Sequence, residues 1–169
     1  MTRPILEPEF WRERLAKAQQ RGKLHEAVYL CPEEQWRKIE AKHREILARH
    51  IGFADSVLDA GCGWGRLLTL MPKQWGGMYV GVDLSPDFID LAVEKWGVTQ
   101  ERVFARADLR NLGWLWSGQI DWAVLISIRP MVKRELGEAV WAEMEKEIRR
   151  VAKRLLYLEY DPDCEGMVE

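Results

Sequence analysis

The apolar positions of the chain follow two regimes, and the change between them lies near Gly52. Before it, apolar residues recur at helical spacing. A charged stretch from Glu9 to Arg21 carries Phe10, Leu15 and Ala18 on one side and closes at Gly22. After Pro32, the residues Trp36, Ile39, His43, Ile46 and His50 alternate three and four apart, which is the spacing of one buried helical face. Beyond Gly52, short and nearly continuous apolar runs alternate with helical patterns. Ser56 to Ala60, Met78 to Asp83, Arg102 to Ala105, Asp121 to Ile128 and Leu155 to Leu158 read as strands.

The helices between them are equally marked. Arg66 to Met71 is a short one stopped near Pro72. Ser85-Pro86 supplies an N-cap and a proline at the first helical position of another, whose apolar side is Phe88, Ile89, Leu91, Ala92 and Trp96 and which ends at Gly97. Val132, Leu136, Val140, Met144, Ile148 and Val151 predict one long amphipathic helix from Val132 to Val151. Strands that are apolar throughout and alternate with helices predict a parallel sheet covered on both faces. The expected fold class is α/β: a doubly wound, mainly parallel five-stranded sheet with an N-terminal helical extension. Residues 1–52 would form the extension or lid and 53–169 the sheet domain, together one compact domain. Ligands of such sheets bind at the carboxyl ends of the strands, near the topological switch point.

Composition narrows the field without redirecting it. With 47% hydrophobic and 31% charged residues the chain has ordinary globular character. A formal charge of −2 disfavours a dedicated nucleic-acid surface. Cys31, Cys62 and Cys164 are scattered and lack metal-ligand spacing, so neither a disulfide framework nor a cysteine metal site is expected; a reducing compartment is. No apolar run reaches membrane-spanning length, and the opening MTRPILEPEFWRER is too acidic for a signal peptide, so the expected setting is soluble and cytoplasmic. Nine tryptophans are unusual, and the simplest account of several is core filling.

The chemistry concentrates at strand ends. After the first strand stands Asp59-Ala60-Gly61-Cys62-Gly63-Trp64-Gly65-Arg66. Alternating glycines allow a sharp turn and close approach of a ligand to the backbone. The spacing is GxGxG rather than the GxGxxG of dinucleotide loops, and Asp59 would repel a pyrophosphate but welcome a cationic amino-acid ligand. Asp83 ends the second strand about twenty residues on, where an acid meets ribose hydroxyls. Asp108 follows the third strand.

VLDAGCGWGRLL, YVGVDLSPDFIDLA, ARADLRNL and DWAVLISI, in that order, resemble the successive motifs of the class I S-adenosylmethionine (SAM)-dependent methyltransferases, over roughly Ser56 to Tyr160. The resemblance implies SAM as cofactor and S-adenosylhomocysteine as product. It implies that Asp59 and the loop Gly61, Cys62, Gly63, Trp64, Gly65 hold the methionine part. Asp83 would take the ribose hydroxyls with Leu84 against the adenine, Asp108 the adenine amine with Leu109 beside it, and Ser127 would lie near the sulfonium and the acceptor. Each residue also has a plainer role open to it. The acids can cap or solvate strand ends, Trp64 can anchor the core, Cys62 is a small residue in a tight loop, and Arg129 can pair with a nearby carboxylate. His43 and His50 share an apolar stripe and read as core or interface residues. His25, Tyr29 and Trp36 either line an acceptor pocket or only pack the extension down.

Two departures from the resembled family count. The acid- or amide-proline-proline-aromatic motif of nucleic-acid amino methyltransferases is replaced by Ser127-Ile128-Arg129-Pro130, which disfavours a nucleic-acid acceptor. Only about nine residues follow Tyr160, where the family continues after its fifth strand with a helix and two antiparallel strands; a bare sheet edge, one covered by the N-terminal helices, or one covered by another subunit are the alternatives. Methyl transfer disperses charge, so alignment and water exclusion suffice and no catalytic residue is assigned. Three functions stand. They are a methyltransferase acting on a small-molecule acceptor or one presented by a partner, a catalytically silent SAM-binding partner subunit, and, less in keeping with the loop, an NAD-type oxidoreductase.

Overall fold

The computed structural model describes residues 5, 7–163 and 165–169; Cys164 lies outside the described residues. Its elements follow the hydrophobic pattern closely. Helix α1 (Pro8–Gln20), a 3₁₀ turn (Leu24–Ala27) and α2 (Glu33–His50) precede β1 (Val57–Ala60). Then come α3 (Leu67–Leu70), β2 (Tyr79–Asp83), α4 (Pro86–Trp96), β3 (Arg102–Arg106) and β4 (Ile120–Ile126). The chain continues through α5 (Ile128–Leu136), α6 (Glu138–Val151), β5 (Ala152–Leu158) and β6 (Met167–Val168). Ser85 caps α4 as its sequence position requires, its Oγ accepting the Phe88 N–H.

The sheet order is β3-β2-β1-β4-β5-β6, parallel except for β6. The order reverses between β1 and β4, which fixes the switch point at the carboxyl ends of those two strands. Residues of β1 divide between the two sides of the sheet. Leu58 and Ala60 join a core with Val132, Trp141, Met144 and Ile148 of α5 and α6. Val57 packs with Ile46 and Leu47 of α2, Leu67 of α3 and Ala92 of α4. Both faces are thus dry, as near-continuously apolar strands demand. A third cluster joins Leu15 and Ala18 of α1 and Ala27 to Trp64 and Phe88, so the N-terminal segment seats directly on the glycine loop.

Two sequence expectations are corrected. The single helix from Val132 to Val151 is two helices separated at Gly137, whose φ of 92° no helix tolerates. The apolar periodicity ran through the break because both helices bury their stripes against the same core. The fourth strand stops at Ile126 rather than Ile128, because Ser127 turns into the left-handed region at φ 54° and Ile128 already begins α5. One strand was not foreseen, so the sheet has six strands rather than the five expected. β6 pairs antiparallel with β5, Leu156 opposite Val168 and Tyr157 opposite Met167, and Leu155 and Glu169 extend the ladder by exchanging backbone bonds. Among the described residues, no helix is long and apolar enough to cross a membrane and no group of His, Cys, Asp and Glu has the makings of a metal site.

Candidate functional site

The glycine loop is bound into the protein through its own amides. The N–H groups of Gly61 and Cys62 both reach the carbonyl of Val82, at 2.8 and 2.9 Å, and that of Gly65 reaches the carbonyl of Cys62. The Gly63 N–H donates to Asp83 Oδ2 at 2.8 Å. These donors are spent internally, so the loop has little to offer a pyrophosphate, and the acids beside it, Asp59 buried and Asp83 partly so, oppose one. The dinucleotide reading loses its structural basis here.

The glycines serve different ends. A Cβ on Gly61 would lie 2.4 Å from Ile128 Cδ1, and one on Gly65 would lie 2.8 Å from Trp96 Nε1; both make room for packing. At Gly63 the same Cβ would meet nothing within 4 Å. Its backbone, in the left-handed region, borders open space, and that is the face a ligand can approach.

Asp59 and Asp83 flank this loop. Asp59 is 3% exposed, and its Oδ2 accepts the Tyr79 hydroxyl at 2.7 Å. Burial drives its carboxyl up to about 7; the negative charge of Asp83 adds to the rise, while the Tyr79 hydrogen bond and the charge of Arg66 oppose it. The Tyr79 phenol is itself pushed well up by burial and by Asp59. Asp83 is raised in the same direction by burial, although the Ser85 and Gly63 amides hold it down.

Asp108, on the third strand's loop, differs. Its two oxygens are gripped by the Arg110 guanidinium at 2.6 to 3.0 Å and it also accepts the Arg110 N–H, which together hold its carboxyl below the usual range.

A cavity of about 120 Å³ runs along these strand ends. Gly61, Gly63, Asp83, Leu84, Asp108, Leu109 and Ser127 all line it, so it gathers most of the residues singled out in the sequence. Asp59, Cys62 and Trp64 sit deeper, with Arg66 and Tyr160, around a recess beside Gly61 and Gly63. Gly65 lines neither space. Cys62 is buried, burial raises its thiol well above the ordinary range, and it fits the plain role of a small loop residue. Trp64 anchors the core under the loop while touching the recess.

Ser127 stands where β4 hands the chain to α5. A serine at φ 54° is strained, and the strain is held by three bonds. Its N–H donates to the Leu158 carbonyl, its Oγ donates to Glu159 Oε2 at 2.9 Å, and the same Oγ accepts the Tyr160 N–H. Ser127, Trp11, Val28, Met131 and Tyr160 form walls shared with a second cavity of about 300 Å³. Its further lining includes Phe10, Tyr29, Glu135, Glu159 and Asp161. Burial raises the Glu159 carboxyl.

Tyr29 therefore lines a cavity, whereas His25 stacks on Trp36 at 4.8 Å and packs the extension down. His43 is fully buried, and its Nε2 bonds the Glu159 carbonyl at 2.7 Å; His50 is half-buried against Trp122. Arg129 lies 3.6 Å from Glu169 and over the Tyr157 ring, so it serves as an ion-pair partner. Trp36, Trp64, Trp122 and Trp141 fill cores, while Trp114 and Trp116 are exposed.

The residues that the pattern missed are Tyr79, Arg66, Glu159 and Tyr160. The last two lie at the end of β5, a strand end as eligible for inspection as the other four; Arg66 directly follows the third glycine.

Comparison with known proteins agrees with this geometry. A sequence profile described as a methyltransferase domain matches residues 57–154. No curated protein matches the chain. Among solved structures, a TehB-like SAM-dependent methyltransferase from Corynebacterium glutamicum superposes with a TM-score of 0.56 at 20% identity, covering 89% of this chain and 71% of that one. A putative SAM-dependent methyltransferase from Methanococcus maripaludis gives 0.63 at 14% identity, with 94% and 66% covered. The complex between the Haloferax volcanii Trm112 methyltransferase activator and a putative methyltransferase gives 0.61 at 21%, with 88% and 59% covered. The chain thus spans from about three fifths to about seven tenths of the length of these proteins.

Proposed function

Since the chain belongs to the methyltransferase-domain family of class I SAM-dependent proteins, we propose that it transfers the methyl group of SAM to a small-molecule acceptor held in the second cavity. The residues at the strand ends fit the cofactor. The open face of Gly63 admits a ligand against the backbone, and the partly buried Asp83 presents carboxylate oxygens suited to the paired hydroxyls of a ribose. Leu84 and Leu109 supply apolar surface for an adenine, and Asp108 an acceptor for its amine. Asp59 and the loop take the methionine part, where a cationic amine offsets the cost of a buried carboxylate. SAM, when bound, supplies an electrophilic methyl group on a sulfonium that becomes a neutral thioether. The protein's part is to align the acceptor with that methyl group and to keep water out. Trp11, Val28 and Tyr160, shared between the two cavities, are placed for the second task.

The observation that carries the small-molecule reading is the second cavity. Its roughly 300 Å³ lies within the range of small-ligand sites, it shares the strained Ser127 with the cofactor cavity, and its lining mixes aromatic rings with charged groups of both signs, Arg14 and Arg134 beside Glu135, Glu159 and Asp161. A second reading draws on the neighbour solved with a methyltransferase activator. On that reading the lone chain binds cofactor but turns over only with a partner.

Calorimetric titration of the purified chain with SAM and with S-adenosylhomocysteine, beside an Asp83→Ala variant, is the test. Micromolar binding of both, weakened at least tenfold in the variant on the scale of a lost charge-assisted hydrogen bond, is expected. S-Adenosylhomocysteine release on incubation with pooled small molecules would then identify the acceptor class. Binding without turnover on any pool favours the second reading, and no binding of either nucleoside removes the first.

A further inference from the structure

Three carboxylates border the second cavity, and they differ in where they are tied. Glu135 is held by its neighbour Arg134, whose Nε donates to Oε1 at 2.8 Å. Asp161 is exposed, and its Oδ1 accepts the Asp163 N–H. Glu159 is half-buried, and its Oε2 accepts the hydroxyl of Ser127, a residue that lines both cavities. The left-handed turn at Ser127 and the Tyr160 N–H on the same Oγ fix that hydroxyl in place. A hydrogen bond of 2.9 Å thus stations the Glu159 carboxylate at the border between the two cavities. An acceptor atom has to sit at that border to reach the methyl group of the cofactor.

The rest of the lining narrows the acceptors that suit such a carboxylate. Tyr29 and Tyr160 stack with centroids 5.0 Å apart, and Phe10 and Trp11 meet edge to face at the same distance. Ring faces and carboxylates together attract a cation. Both guanidiniums of the cavity are engaged by the protein, Arg134 on Glu135 and Arg14 on the Ala27 carbonyl at 2.7 Å. Carboxylate, thiolate and phenolate acceptors react as anions and would do so against the charge of Glu159. An aliphatic alcohol holds its proton too tightly for a carboxylate to take. An amine arrives as a cation and reacts as a neutral base. Burial favours the neutral form of both partners, raising a carboxyl and lowering an ammonium, so a proton transfer that is uphill in water comes within reach. Burial does raise Glu159, against the Ser127 hydrogen bond and the charge of Arg129.

We propose that the acceptor is a primary or secondary amine on an apolar, ring-bearing body, and that Glu159 is the catalytic residue that holds its ammonium and receives its proton. The inference rests on the small-molecule reading above and gives its acceptor a chemical class. The ammonium loses one proton to Glu159, which passes it to solvent. The nitrogen lone pair so freed forms the bond to the methyl carbon as the carbon–sulfur bond breaks, and that bond's electron pair stays on sulfur. The charged and titratable groups around Glu159 come from every side. Arg129 and the Arg134–Glu135 pair belong to α5, Arg14 to α1, and Tyr160 and Asp161 follow in the chain, while His43 of α2 bonds its main-chain carbonyl.

The test uses matched ligands on one skeleton, 2-phenylethylamine, 2-phenylethanol and phenylacetate, with their cyclohexyl and straight-chain counterparts. Each is titrated calorimetrically into the protein saturated with S-adenosylhomocysteine. The amine is expected to bind about tenfold or more tightly than its alcohol, the scale of a charge-assisted contact, with the carboxylate weakest. In Glu159→Gln the amine should lose about that factor, while the alcohol and S-adenosylhomocysteine bind as before. With SAM supplied, turnover of the amine by the variant should fall most near pH 7 and recover toward about pH 10, where amines arrive without their proton. A series in which no amine binds, or in which alcohols and carboxylates match their amines, overturns the proposal and leaves the cofactor reading standing. So does a variant whose amine and alcohol affinities fall alike, or whose turnover is lowered equally at every pH, since Glu159 would then only hold the fold. Should Glu159→Gln fail to fold, the ligand series on the unaltered protein decides alone. If S-adenosylhomocysteine itself does not bind, the cofactor reading falls and the proposal with it.

Discussion

Asp59 and Asp108 occupy matching places, one at the end of β1 and the other just past β3, yet they live under opposite electrostatics. Asp59 is enclosed, is bonded to a phenol, and has its carboxyl pushed up to about 7. Asp108 is partly exposed, clasped by Arg110 and held below the usual carboxylate range. The difference comes from what stands beside each strand end. Beside Asp59, β2 contributes Gly81, where a Cβ would lie 2.9 Å from the Tyr79 ring and 3.1 Å from Cys62 Sγ. The absent side chain lets the tyrosine close over the acid and keep water out. Beside Asp108 the chain turns outward, and the nearest partner is an arginine two residues on. One end is thereby poised to respond to an incoming cation, while the other is already neutralised.

Asp59→Asn tests this contrast most severely. Asparagine keeps an acceptor for Tyr79 and removes the charge. The sign follows from the raised value. Asp59 adds stability that is complete below the ordinary carboxylate range, near 4, and is lost as pH rises through about 7. His43, lowered to about 4 by burial and by Arg66, does the reverse, adding stability above about 6.5 that is lost as pH falls toward 4. The two slopes oppose each other between pH 4 and 6.5. In Asp59→Asn the unliganded protein should gain about 1–3 kcal/mol at pH 8, a rise in Tm of about 5 °C. Its stability should then climb more steeply from pH 4 to 6.5, as seen in urea unfolding at a series of pH values. Affinity for S-adenosylhomocysteine should fall by roughly tenfold or more for want of the charge. A variant that is destabilised at pH 8 would show that Asp59 is not held as a costly buried acid.

A finer effect sharpens the same contrast without any mutation. If a cationic amine settles beside Asp59, it must draw that carboxyl back toward ionisation, and the proton must leave. Cofactor binding near pH 7 should release about half a proton. Titration calorimetry in buffers of differing ionisation enthalpy reads this directly. The release should shrink toward zero by pH 9 and be absent in Asp59→Asn. Asp108, already ionised in its pair with Arg110, contributes nothing to it, so a release that survives in Asp59→Asn would have to be assigned elsewhere.

The locations of these acids were legible in the sequence, but their states were not. Alternating apolar runs located every strand from β1 to β5, and the strand-end rule then placed Asp59, Asp83 and Asp108 at one edge of the sheet. What period and spacing do not carry is lateral neighbourhood. Tyr79 reads as one more apolar residue of β2, and nothing local says that its hydroxyl meets an acid two strand positions further along the neighbouring strand. Arg66 reads only as the start of a short helix, whereas α2, distant in sequence, folds Trp36 and His43 over it. The split at Gly137 escaped for the converse reason. There the pattern was too regular, because two helices shared one buried face. The brief β6 pairing escaped because two residues are too few to show a period.

The smallest effect is expected at Asp108→Asn, and it closes the comparison from the other side. The side chain keeps an oxygen to accept an adenine amine, and what is lost is an ion pair with Arg110 whose partners are 28% and 37% exposed. Partly solvated pairs of that kind contribute little, roughly 0.5 kcal/mol or less. S-Adenosylhomocysteine affinity should therefore change by no more than about threefold, and thermal stability at pH 7 by about 1 °C. The uncoupled guanidinium, freed from its clasp, stays in solvent, since Arg110 is exposed and does not line the cavity. A loss beyond tenfold would break the contrast, because it would mean that the negative charge at the end of β3, and not only its hydrogen-bonding oxygen, is used by the ligand. Arg110 would then be a brake on that charge, and Arg110→Ala should tighten binding where Asp108→Asn loosens it.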